Sequence, residues 1–157
     1  MNNLTLGVLI SLAQWMTPAP IYSYGAATWY APGVMEATCQ YRADEAGVSY
    51  QEWMDEAIGG VALMSPADLG KTVWVRGPLG WEGPFRVCDC GTRGQVYEMV
   101  MDRGEVVELG WHTASSWGMG PHDGGWKMQV EVWIGDFPKY HGQKPVDYVS
   151  WFDRLVQ

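Results

Sequence analysis

Apolar positions along the chain recur in short runs that alternate with polar ones, and a glycine or proline stands in nearly every gap. The clearest run is Met128 to Ile134, where Met128, Val130, Val132 and Ile134 share one face and Gln129 and Glu131 the other. That two-residue period predicts a half-buried strand. Similar pieces predict strands at Ala27–Tyr30, Val61–Met64, Thr72–Val75, Phe85–Cys90 and Val106–Leu109. Helical signals are shorter. Ser49 followed by Glu52 reads as a capping box, with Gly59 and Gly60 closing the segment. Ser65-Pro66-Ala67-Asp68-Leu69-Gly70 reads as one turn, with a cap, a proline at the first helical position and a terminal glycine. Trp111–Trp117, closed by Gly118, reads as two turns. Pro145–Val156 carries Val149, Phe152 and Val156 on one stripe and predicts a C-terminal helix. Six short strands with one-turn helices predict an all-β domain, a small closed barrel rather than a parallel α/β sheet.

A chain of 157 residues with 47% hydrophobic and 18% charged residues has the composition of one globular domain. The expected organisation is an apolar N-terminal segment over 1–23, a barrel domain over 24–137 and a tail with a short helix over 138–157. The run from Leu4 to Ala13, followed by Thr17-Pro18-Ala19-Pro20, resembles the core and cleavage region of a signal peptide. No basic residue precedes Arg42, so the charged start of such a peptide is missing. A secreted or cell-envelope protein is the expectation. No run reaches the roughly 18 apolar residues of a membrane span.

A net charge of -8 disfavours nucleic acid, whose phosphates need Lys and Arg to neutralise them. It also disfavours docking on anionic membranes or wall polymers. The aromatic set is skewed, with ten Trp and eight Tyr against three Phe. Such amphipathic rings suit a neutral ligand held by stacking and hydrogen bonds, although many also serve as core. Three cysteines, Cys39, Cys88 and Cys90, make a poor zinc set, so no metal and no other cofactor is expected. Cys88 and Cys90, two residues apart, would face one side of a strand, and Cys39 could bridge to either.

The order of these pieces resembles the double-psi β-barrel superfamily that includes rare lipoprotein A, the barwin proteins and the N-terminal domain of expansins. Gly25-Ala26-Ala27-Thr28-Trp29-Tyr30 resembles its opening strand. Val61-Ala62-Leu63 followed by Leu69-Gly70-Lys71-Thr72-Val73-Trp74-Val75 resembles its second conserved stretch. Gly83 to Gly91 resembles the strand that delivers an Asp before a turn. Val106-Val107-Glu108-Leu109-Gly110, followed by a helix ending Trp117-Gly118-Met119, resembles the last motif. The likeness spans roughly residues 25–134 and implies a six-stranded double-psi barrel that works on cell-wall polysaccharide. Three departures stand against the activity. Met64 replaces the family's histidine, Glu108 stands where an Asp is usual, and at most one disulfide can form.

Asp89 is the foremost candidate. Alternation puts it on the side of Phe85 and Val87, and the resemblance implies a catalytic or ligand-binding Asp there. The competing reading is a turn residue capping Gly91 and Thr92. Glu108, a lone carboxylate among Val106, Val107 and Leu109, is the second acid, or else the partner of Arg86, Arg93 or Arg103. Trp29, Tyr30 and Trp111 are candidate stacking residues, and His112 a candidate sugar contact. The expected function is binding of peptidoglycan or a related glycan by a monomer, with a catalytic extension that is either lytic transglycosylase-type cleavage by Asp89 as acid and then base, or glycoside hydrolysis by Asp89 with Glu108. The alternative is a non-catalytic structural or phage and mobile-element accessory module.

Overall fold

The computed structural model describes residues 21–91, 102–121 and 125–135. The expected signal-like start, the tail and its helix over 145–156 lie outside these residues, except that Ile21–Ser23 already belong to the first strand. Six strands form a closed barrel: β1 (Ile21–Trp29), β2 (Gly60–Leu63), β3 (Thr72–Gly77), β4 (Gly80–Cys90), β5 (Glu105–Leu109) and β6 (Met128–Ile134). Their order around the barrel is β1-β5-β2-β4-β3-β6. The pairs β1/β5 and β2/β4 are parallel and the other four antiparallel. Moving each strand three places along the chain exchanges β1/β5 with β2/β4 and β1/β6 with β3/β4, direction included, and leaves β2/β5 and β3/β6 in place. The wiring is thus that of two interlocked three-strand halves, and closure leaves no open sheet edge.

All six expected strands are present, and three run two or more residues beyond their patterns. β1 starts at Ile21 and pairs with β6 from Ile134 back to Met128, so the expected boundary at Ser23 falls inside the barrel. β3 and β4 run on into a hairpin whose last pair is Gly77 with Gly80, across Pro78-Leu79. The barrel interior is filled by Ala27, Val61, Leu63, Val73, Val75, Phe85, Val87, Val107, Leu109, Val130 and Val132, closed by Ala114, Trp117 and Met119 from the helix after β5.

Three α-helices connect the strands: α1 (Val34–Ala46), α2 (Tyr50–Met54) and α3 (Trp111–Ser116). The Ser49 cap forms as expected, its hydroxyl accepting the Glu52 amide at 3.1 Å, but α2 stops at Met54, where Asp55 turns to φ 46°. Ser65 caps the single 3-10 turn Pro66–Asp68. Helix α1 was not expected. Its buried stripe is only Met35, Cys39 and Ala43, one residue per turn, and the rest of its surface is polar or exposed. It forms a second layer outside the barrel, in which Met35, Cys39 and Met54 cover Ala62 and Cys88. Gly60 permits this approach: a Cβ there would run into Cys39 Sγ and the Met35 side chain. Cys39 is bonded to Cys88, with Cα atoms 4.9 Å apart, and Cys90 is a free thiol. Among the described residues no helix is long and apolar enough to cross a membrane.

Candidate functional site

The site grows from one row of register partners on the outer face of the barrel. Thr28 on β1 lies beside Glu108 on β5, Glu108 beside Ala62 on β2, and Ala62 beside Asp89 on β4. Val61 and Leu63 point into the core, so Ala62 and its row point out. Asp89 reaches this row through a bulge. Val61 pairs with Val87 but Ala62 pairs with Asp89, which leaves Cys88 as the extra residue. Simple alternation puts Asp89 with Phe85 and Val87, and Cys88 with Cys90. The bulge corrects both expectations: Asp89 changes sides, Cys88 is buried under α1, and Cys90 pairs with Leu63 instead.

Tyr30 follows β1 and lies by both acids. Its hydroxyl donates to Asp89 Oδ2 at 2.9 Å and stands near enough to Glu108 to act on its proton affinity. Thr28 Oγ1 donates to Glu108 Oε1 at 3.3 Å. Asp89 Oδ1 accepts the Cys90 amide at 2.9 Å, and Arg42 Nη2 from α1 stands 3.9 Å from the same oxygen. Arg42 is itself anchored by Nε donating to the Cys88 carbonyl at 3.1 Å. Asp89 therefore combines the local capping role with a place in the site. The amide it caps is that of Cys90, while the expected Gly91 amide goes to the Leu63 carbonyl and Thr92 lies outside the described residues.

Burial sets the proton affinities. It pushes the Glu108 carboxyl above the usual range, and the neighbouring charges of Glu105 and Asp89 add to the rise, while the bonds from Tyr30 and Thr28 oppose it. Burial and then the charge of Glu108 push the Tyr30 phenol far up, so it stays protonated. Burial and Asp89 also raise the Cys90 thiol. The raised Glu108 carboxyl and the protonated Tyr30 phenol are thus two proton-holding groups beside Asp89.

The expected ion-pair partners of Glu108 are engaged elsewhere. Arg86 donates to the Gly70 carbonyl at 2.6 Å, Arg103 lies 3.6 Å from the buried Glu105, and Arg93 is outside the described residues. Trp29 and Trp111 meet at the end of the barrel, ring centroids 5.0 Å apart and tilted by 58°. A third ring, Trp126, was missed by sequence reasoning. It stacks on Trp29 at 4.9 Å with planes 8° apart. It sits in an irregular loop with no period to mark it. His112 stands apart from the carboxylates. It is exposed and lines a hollow of ≈ 240 Å³ with Glu36, Tyr50, Met54 and Ile58, to which Asp89, Glu108 and Tyr30 do not contribute. Among the described residues no three His, Cys, Asp or Glu side chains gather as metal ligands. Comparison with protein-family models, with curated proteins and with solved structures finds no match.

Proposed function

We propose that this barrel, of the double-psi kind, binds an uncharged stretch of cell-wall polysaccharide, peptidoglycan or a relative, across the Thr28–Glu108–Tyr30–Asp89 row. The observation that carries this reading is the row itself: the Thr28–Glu108 and Tyr30–Asp89 hydroxyl–carboxyl pairs, set in register on one face of the barrel, in a molecule whose barrel end also carries packed indole rings. Sugars need that pairing, because hydroxyl groups demand in-plane donors and acceptors while their C–H faces demand aromatic surface. The net charge of -8 disfavours polyanionic partners. The Cys39–Cys88 bond fits an oxidising compartment, in keeping with export to the envelope.

A catalytic version of the same reading rests on Glu108. A carboxyl group raised above its ordinary range is a better proton donor to a glycosidic oxygen at mildly acidic pH, and as a carboxylate it can then take the proton from the sugar hydroxyl that attacks, which is lytic transglycosylase chemistry. Asp89, positioned by the Cys90 amide and Arg42, would face the positive charge that develops on the sugar. Both versions are tested by incubating the purified protein with peptidoglycan sacculi, measuring the bound fraction by sedimentation and the soluble products by mass spectrometry. Bound protein with no released fragments leaves binding alone. Anhydro-sugar fragments establish cleavage. Absence of binding rejects the reading.

A further inference from the structure

Exposure of a large indole is costly to solubility, and Trp126 is 64% exposed. One face of its ring lies on Trp29, nearly parallel at 4.9 Å, so the open surface is the opposite face and the edges. Trp29 is itself packed against the barrel core and braced by Trp111. The exposed ring thus rests on a rigid support instead of standing free. Trp29 follows Thr28 in β1, so its ring lies on the core side at the barrel end while the Thr28–Glu108 pair lies on the outer face.

We propose that the outer face of Trp126 is a stacking subsite that takes one pyranose ring of the bound glycan, at the barrel end. This rests on the polysaccharide reading above and adds a residue and a ligand class to it. A β-linked hexose or N-acetylhexosamine fits it, because mostly equatorial substituents leave an uncharged C–H face for an indole. A preformed two-indole stack loses little side-chain freedom on binding, which favours this surface over a lone mobile aromatic. The acidic chain favours a neutral ring over an anionic one.

The test uses the full chain and oligomers of β-1,4-linked N-acetylglucosamine, followed by indole fluorescence and calorimetry. Trp126→Ala is expected to weaken oligomer binding about tenfold, the scale of one good stacking contact, and Trp126→Tyr to weaken it by no more than about threefold. Both variants should unfold at the wild-type temperature, since Trp126 is a surface residue. Unchanged affinity in Trp126→Ala, with the wild type still bound to oligomers or sacculi, overturns the subsite and leaves the polysaccharide reading standing. Failure of the wild type to bind either ligand overturns both. Reversible self-association that disappears in Trp126→Ala would assign the ring to a second copy of the chain and overturn the proposal as well.

Discussion

At the scale of single residues, Glu108 and Tyr30 divide the work of the site. Glu108 gains protons on folding, because its carboxyl is raised above its unfolded value. The folded state is therefore favoured below the unfolded value, and that advantage is lost as pH rises through the window up to the raised value. Glu108→Gln should flatten this fall in urea-unfolding free energy across the mildly acidic range. It should also abolish any fragment release while leaving sacculus binding within about 1 kcal/mol of wild type, because the amide keeps the hydrogen bonds but cannot transfer a proton. Tyr30→Phe removes a bond that opposes the rise at Glu108. The Glu108 titration, followed by carboxyl carbon NMR, should move to higher pH; a downward move would contradict the bonding described here. These two acids were legible as candidates, since an unexplained carboxylate in an apolar strand needs a reason. The side of the strand that Asp89 occupies was not, because one extra residue at Cys88 reverses the alternation without changing composition.

At the scale of elements, α1 is held on the barrel by one disulfide, a narrow apolar stripe and the contact that Gly60 allows. The bridge closes a sequence separation of 49 residues, for which chain entropy gives a stabilisation of about 4 kcal/mol. Cys39→Ser, or reduction of the wild type, should lower the unfolding free energy by about 2–4 kcal/mol in a denaturant titration. It should also loosen Arg42, one helical turn from Cys39, and so weaken glycan binding. Gly60→Ala should be destabilising for the separate reason that its methyl group occupies the space of Cys39 and Met35. The strands were readable because the two-residue period holds in β3, β5 and most of β6, and glycines or prolines bound the others. Helix α1 was not, since one buried residue per turn among Glu36, Gln40, Arg42, Asp44 and Glu45 leaves too weak a periodic signal.

At the scale of the whole molecule, the acidic chain and the uncharged polysaccharide proposed as its ligand make a direct prediction about salt. Binding to sacculi should change by less than about twofold between roughly 50 mM and 500 mM sodium chloride, where a charge-driven interaction would collapse. A steep salt dependence in a sedimentation assay would reject stacking and hydrogen bonding as the source of affinity. The β character, the single barrel and the two acids were written in local pattern, because alternation, turn residues and isolated carboxylates are properties of neighbouring positions along the chain. Tertiary structure alone decided the rest. Parallel pairing of β1 with β5 and β2 with β4 set Thr28, Glu108, Ala62 and Asp89 in one row from four distant segments. Closure brought Tyr30 beside both acids, Cys39 onto Cys88 rather than Cys90, and Trp126 onto Trp29 across 97 positions of sequence, the difference of their numbers. These contacts depend on strand register and on one bulge, and register is fixed by how the buried faces fit together in three dimensions.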